Sequence, residues 1–267
     1  MDKTKKTSLN QIFIKPIHIT PPTMDFSLKN PFHLFSAFLL GITILLLTII
    51  PLFSFLGFFP TTQDLVLNEL IIVFGSIIAI FLLVGTPLIW YILVNNFSLK
   101  KIIQNLRINY KDLPNALFWA FIAITTMYII LILIGIFLMA IGFETNEITN
   151  IEDLANNLTI GSVIFIVLFQ STSEEIFFRG FLLQKFSKIT NERYAIIATA
   201  IMFGLAHLSY GRIYPAIMTT IFGLVLGIIV VRTKNLLSAI LAHVIYNGVS
   251  FILFFIVQTY NIRAIIL

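Results

Sequence analysis

Polar positions are rare along this chain, and they fall between long apolar runs instead of alternating with them. Seven runs stand out, at about 32–57, 66–94, 115–142, 159–184, 194–210, 215–231 and 236–257. Most approach or exceed the ~20 residues that a helix needs to cross ~30 Å of hydrocarbon. None shows the period-two alternation of a membrane β-strand. In a bilayer each backbone N–H and C=O must be satisfied inside the spanning segment, which leaves α-helices. The pattern predicts an all-α fold, a polytopic membrane helical bundle of about seven to eight transmembrane helices. The fifth and sixth runs are short enough to tilt or re-enter. Residues 1–30 carry Lys3, Lys5, Lys6, Lys15, Lys29 and a Pro21-Pro22 break, and read as a polar, basic cytoplasmic tail. Residues 31–267 read as one integral-membrane domain with no internal repeat.

Composition strengthens this reading. Of 267 residues 58% are hydrophobic and only 11% charged, against about 25% charged in an average soluble domain. That excludes an ordinary water-soluble globule. The absence of Cys excludes a disulfide framework, a thiol nucleophile and Cys-ligated zinc or iron–sulfur centres. A formal charge of +5 is compatible with a nucleic acid or a membrane surface, and the positions of the charges decide between them. With the N-terminus in the cytoplasm, all 17 Lys and Arg except Arg212 and Arg263 fall inside. The acidic 143–158 loop, with Glu144, Glu147, Glu152 and Asp153, falls outside. This is the positive-inside distribution, and it predicts a multi-pass protein of the cell membrane with no need of nucleic acid. Trp90, Tyr91 and Trp119 read as interfacial aromatic anchors, Pro51 and Pro87 as kinks or ends. Gly223 and Gly227 form a G-x-x-x-G suited to close internal packing.

Ionisable residues inside the runs concentrate in the second half: Glu174, Glu175, Arg179, His207 and His243, with Asn247 one turn after His243. Each is expensive in hydrocarbon, so together they mark a candidate site. Glu175 and Arg179 are spaced i,i+4 and can pair on a helix. Glu174 lies about 140° around the axis from Arg179, over Gln170 and Ser171, and is left for general-base work on a water. The alternative is an acid–arginine cluster that merely ends the helix at the cytoplasmic face. Two histidines and a glutamate can bind Zn²⁺ or, without metal, position a water. No H-E-x-x-H is present. Asn247 can donate to an oxyanion or orient His243, and Tyr246 and Ser250 lie near the same face. Glu174 is about fifteen residues into its helix, roughly 22 Å, and His243 about seven residues into its own, roughly 10 Å, so the two agree in depth. His207 is too deep by the same arithmetic unless its helix begins further out, near Asn191, or is tilted.

In order, Glu174-Glu175-x-x-x-Arg179, Phe203-x-x-x-His207 and His243-x-x-x-Asn247 resemble the three motifs of the CAAX protease and bacteriocin-processing (CPBP, or Abi) family. Its members are membrane-embedded endopeptidases that include the Rce1-type CAAX prenyl proteases. The resemblance covers about residues 159–257. It implies Glu174 as the base that activates the attacking water, with His207 sharing or polarising it. It implies His243 and Asn247 as oxyanion and carbonyl ligands, with Glu175 and Arg179 in support. It is compatible with glutamate-dependent chemistry and with a metalloprotease holding Zn²⁺ at Glu174, His207 and His243. The implied partner is a membrane-associated or prenylated peptide or protein, the Rce1-type reaction being removal of the last three residues behind a prenylated Cys. The alternatives are bacteriocin maturation or immunity within the same family, and a proton-coupled transporter. A transporter usually carries repeated, interrupted helices, whereas here all the polar residues sit in one half.

Overall fold

The computed structural model describes residues 26–60, 68–142 and 157–259. The remainder of the basic tail, the acidic side chains of the 143–158 loop and Arg263 lie outside the described residues. The elements among the described residues are helical: α1 (Pro31–Phe55), α2 (Glu69–Leu93), α3 (Leu99–Asn105), α4 (Leu113–Ala140), α5 (Ile160–Ile189), α6 (Glu192–Ala206), α7 (Ile213–Thr233) and α8 (Leu237–Thr259). Six segments are long and apolar enough to cross a membrane: α1, α2, α4 together with the short α3, α5, α7 and α8. Their outward faces carry large apolar side chains such as Leu70, Phe74, Phe81, Phe121 and Ile160. A surface of that kind needs lipid against it. The chain is a multi-pass membrane protein.

The difference from the expected count lies in the fifth run. α6 has 15 residues and rises only about 22 Å. It ends at His207, where a 3₁₀ turn (His207–Tyr210) and left-handed Gly211 (φ 73°) reverse the chain into α7. Its N-cap is Asn191, whose side chain accepts from the backbone N–H groups of Arg193 and Tyr194. The helix therefore starts further out than residue 194, the first of the two ways in which His207 could reach the depth of Glu174. Other starts are capped in the same manner. The side chains of Asn30, Asn68, Ser98 and Thr159 accept from the first-turn N–H groups of α1, α2, α3 and α5, satisfying donors that water does not reach easily at a membrane boundary.

Two devices fix α5–α8 relative to one another. First, α6 and α7 cross closely on glycine. A Cβ on Gly223 would lie 3.1 Å from the Cα of Ala200, and one on Gly227 would lie 3.0 Å from Ile196. The G-x-x-x-G is an internal packing surface, as its spacing predicted. Second, the turn between α7 and α8 is stapled to the turn between α3 and α4. Asn235 donates to the Asn109 carbonyl at 3.0 Å and accepts from its N–H at 3.2 Å, while Leu236 N–H donates to the Arg107 carbonyl at 2.9 Å. Lys234 (φ 54°) and Arg107 (φ 60°) both take left-handed conformations there.

One expectation fails. Trp90 and Tyr91 are buried core residues, not interfacial anchors. Their rings pack on Phe181 and flank the Lys185 ammonium, whose Nζ lies 5.0 Å from the Trp90 ring centre and 5.4 Å from that of Tyr91. The membrane-end signal of an aromatic pair is overridden because a long α5 brings a lysine that needs a desolvated cation–π box. Trp119 does stand partly exposed, with Arg232 stacked 4.5 Å over it. The α6/α7 crossing is tightest at Gly204, where an added Cβ would sit 1.8 Å from Thr220 Oγ1 and 2.6 Å from the Ala216 carbonyl. Gly204→Ala should therefore destabilise the protein by about 1–3 kcal/mol, read as a lower thermal midpoint in detergent. Gly75→Ala, which meets nothing within 4 Å, should not lower it.

Candidate active site

The site is built around an irregular stretch of α5. Residues Ser171–Glu175 are regular α-helix, but π-helical turns lie on either side, at Ile166–Gln170 and Ile176–Leu182. Such turns loosen the i→i−4 ladder and recur at functional sites. The Ser171-Thr172-Ser173 run supplies hydroxyls where the ladder is loosened. Thr172 donates to the Leu168 carbonyl and Ser173 to the Gln170 carbonyl at 2.7 Å. At the N-terminus of α5, Glu69 of α2 accepts from Thr159 and Ser162, tying the start of the site helix to its neighbour.

The two adjacent acids diverge as their spacing predicted. Glu175 points into the core and is fully buried, its Oε1 accepting from Arg179 Nη1 at 2.8 Å. Glu174 points the other way and accepts from Gln170 Nε2 at 3.1 Å. What spacing did not reveal is that one imidazole lies between them. His243 of α8 donates Nδ1–H to Glu175 at 2.8 Å, and its Nε2 lies 3.8 Å from Glu174 Oε2. Arg179, Glu175 and His243 thus form a continuous buried chain that ends at Glu174. The cluster does not terminate the helix, since α5 runs on to Ile189 and Arg179 has no exposed surface. Arg179 is thus enclosed within the protein.

Asn247, one turn beyond His243, donates Nδ2–H to Ser171 Oγ at 2.9 Å. It binds α5 instead of the ring of His243, and it retains a second amide N–H. His207, at the end of α6, donates Nδ1–H to the Phe203 carbonyl at 2.8 Å. A carbonyl only accepts, so this bond fixes the tautomer and puts the lone pair on Nε2. The Phe203 ring links the parts: its centre is 4.8 Å from His207 and 5.8 Å from His243, and the Arg179 guanidinium stacks 4.3 Å over it. Tyr246 packs on Phe222 and Tyr128.

Glu174 and His207 open onto a shared cavity of about 220 Å³. Gln170 and Ser209 join them on its polar side, while Leu46, Leu47 and Pro51 of α1 and Ala79 and Leu83 of α2 form its apolar wall. A third π-helical turn, Leu45–Ile49, lies in that wall.

Residues 156–249 match the family described as type II CAAX prenyl endopeptidase Rce1-like. That stretch is an Rce1-like domain. It contains every residue of the three motifs. Over 94 residues the chain is 29% identical to a Bacillus subtilis (strain 168) protein named uncharacterized protein YyaK, a segment that is 33% of this chain and 31% of that protein. The match thus spans about a third of the curated relative. No solved structure matches the chain.

Among the described residues no group of three His, Asp or Glu side chains is arranged to hold a metal ion. Glu174, His207 and His243 as placed are not gathered into such a group. Sequence reasoning missed the wall from α1 and α2, because apolar residues in apolar helices carry no distinguishing pattern. It also missed the hydroxyl partners of the π turns, although the Ser-Thr-Ser run beside two acids was a visible signal.

The Rce1-like domain buries one cation against one anion, so removal of either partner alone should be costly. Arg179→Met is expected to destabilise by about 3–5 kcal/mol by stranding Glu175. The double variant Arg179→Met/Glu175→Gln should recover part of the loss in thermal unfolding, whereas an additive double variant would contradict a coupled pair.

Proposed function

We propose that the protein is a membrane-embedded endopeptidase that hydrolyses peptide bonds by glutamate-dependent activation of water. One observation carries this reading: Glu174 and His207 share a small cavity, and His243 is held 3.8 Å from Glu174 by a buried ion pair on its other nitrogen. A water seated between Glu174 and an imidazole nitrogen would meet both a proton acceptor and a second hydrogen-bond partner, as general-base catalysis needs. Glu174 takes one proton from that water while His207 Nε2 accepts the second hydrogen bond and aims the oxygen lone pair. The oxygen attacks the scissile carbonyl carbon, and the carbonyl π electrons move onto its oxygen. Protonated on Nε2, His243 donates to that oxyanion, and Asn247 contributes the N–H that Ser171 does not use. Collapse re-forms the carbonyl and breaks the C–N bond, and the proton on Glu174 passes to the departing amine. Glu175 and Arg179 act on the ring of His243 and do not touch the substrate.

The resemblance to CAAX proteases and the Rce1-like match support a membrane-associated or prenylated peptide as substrate, with C-terminal tripeptide removal as the specific reaction. The same supports are compatible with bacteriocin maturation. Nothing specific favours a transporter. The distribution of Lys and Arg supports a cytoplasmic N-terminus in the cell membrane and a site that opens towards the cytoplasmic half.

In reconstituted protein, Glu174→Gln should lower kcat for peptide cleavage by a factor of about 10²–10⁴, with His207→Ala and His243→Ala also severely impaired. Unchanged turnover in Glu174→Gln would sink the mechanism, and loss of activity in chelator with rescue by zinc would overturn its metal-free form. Orientation can be tested directly because the native chain has no Cys. In intact cells, Asn96→Cys is expected to resist a membrane-impermeant maleimide, and Asn157→Cys to react. The reverse pattern would invert the topology.

A further inference from the structure

The segment that joins the membrane-spanning helices α2 and α4 does not leave the bundle as a free loop. Residues 94–112 run across one end of it, and within them the short α3 is amphipathic. At about 100° per residue, Ile102, Leu106, Leu99 and Ile103 share one sector of α3 and its C-cap, and Lys100, Lys101 and Gln104 share the opposite one. Only half of the apolar sector is used inside the protein. Ile102 and Leu106 are buried, whereas Leu99 and Ile103 stand 67% and 47% exposed. Tyr110, which follows α3, is 70% exposed. Exposed apolar side chains beside lysines on such a helix are the pattern of an element seated in the lipid headgroup layer. Trp119, in the second turn of α4, marks the same level: it is partly exposed, with the Arg232 guanidinium 4.5 Å over its ring.

The charge of the segment is one-sided, with Lys100, Lys101, Arg107 and Lys111 against Asp112 alone, and the three lysines are exposed. The segment is also held in place. Phe97 is buried against Tyr91 and carries the Lys101 ammonium 4.2 Å over its ring. Gln184 of α5 donates to the Asn105 carbonyl at 2.7 Å. Leu106 packs on Gly180 of α5, where an added Cβ would stand 3.0 Å from it. With the Asn109–Asn235 staple, these contacts set the lysines in advance, so little ordering cost falls on what they bind. We propose that residues 96–111 form a docking surface for anionic phospholipid. Lys100, Lys101 and Lys111 take the headgroup phosphates, while Leu99, Ile103 and Tyr110 enter the acyl boundary. The spanning helices on either side keep this surface in the bilayer with any lipid, so headgroup charge decides its occupancy and not membrane attachment. This surface acts independently of the peptidase reading, and its tests need no substrate.

The full chain is reconstituted in nanodiscs of phosphatidylcholine, with or without phosphatidylglycerol, and the thermal midpoint is read in each. Wild type should melt higher in the anionic discs, and the gain should shrink as salt is raised. Lys100→Gln/Lys101→Gln/Lys111→Gln should lose most of the gain. In neutral detergent, titrated phosphatidylglycerol should stabilise that variant only at a concentration higher by about tenfold or more, each lysine near an anionic surface contributing a factor of up to about five. Lys188→Gln/Arg193→Gln/Lys234→Gln removes the same charge from neighbouring turns at this end and should keep the gain. Leu99→Ser/Ile103→Ser should lower it with the lysines intact. Glycerol 1-phosphate, the headgroup without acyl chains, should give no shift at the concentration at which the lipid saturates. Equal midpoints in neutral and anionic discs would overturn the docking surface. So would equal losses in the two triple variants, which would reduce the effect to the overall charge of this end. A shift from glycerol 1-phosphate as large as that from the lipid would overturn it too, by assigning a soluble anion.

Discussion

A guanidinium and a carboxylate, both without exposed surface, lie inside a membrane-spanning helix, and the rest of the site is arranged around them. Arg179 and Glu175 meet at 2.8 Å one turn apart on α5, and the same carboxylate oxygen receives the Nδ1–H of His243. Removing two charges from water costs several kcal/mol per ion, and their attraction alone need not repay it. Here the hydrogen bonding is incomplete among the described residues: Nε and Nη2 of Arg179 and Oε2 of Glu175 have no hydrogen-bond partner there. Part of the deficit is met by the face of Phe203, 4.3 Å from the guanidinium. Gly223 leaves the guanidinium its room, since a Cβ there would stand 3.0 Å from Nη2. The arrangement is a poor way to stabilise a fold and a good way to hold one imidazole ring in one orientation.

Orientation also depends on where the helices carrying these side chains are pinned. His243 is two turns into α8, and α8 begins at a turn locked by Asn235 to the backbone of Asn109. Glu174 and Glu175 sit midway along α5, whose first turn is tied by Glu69 to α2. Both ties lie at helix ends, away from the site, and both are polar contacts in which the backbone takes part. Rigid helices transmit such positions over their length, and catalytic geometry tolerates displacements of only about 0.5 Å. Phe203 completes the alignment. Its backbone carbonyl holds His207, its ring contacts His243, and its face carries Arg179, so one residue on α6 touches three members of the polar cluster.

What could be read in advance follows from the range of each interaction. The Glu175–Arg179 pair and the divergence of Glu174 towards Gln170 are local consequences of helical periodicity, so they were legible. The all-helical membrane fold was legible because the bilayer permits few alternatives. The convergence of His207 and His243 on the carboxylates came from the order of the motifs and the family resemblance, since no local rule brings α6 and α8 to α5. The burial of Trp90 and Tyr91 was misread because an aromatic pair at the end of an apolar run looks the same whether it meets lipid headgroups or a buried lysine. The π turns and the α1–α2 wall left no trace, because backbone register and apolar contacts between distant helices are encoded in packing alone.

Residues 156–249 contain every ionisable group of the site, but not the enclosure that makes those groups useful. A carboxylate that activates one water must be kept from many, because its hydrogen bonds weaken as bulk solvent enters and the local dielectric rises. In this chain the hydrocarbon side of that enclosure is Leu46, Leu47, Pro51, Ala79 and Leu83. Without α1 and α2 the cavity face of Glu174 would meet lipid or lipid-borne water in place of a shaped apolar wall. The polar motifs can therefore be common to many proteins while the wall differs, since hydrocarbon contacts accept many volume-conserving substitutions that a buried ion pair does not. Ionisable groups and apolar wall come from different halves of the chain, and the boundary between them runs through the middle of one cavity.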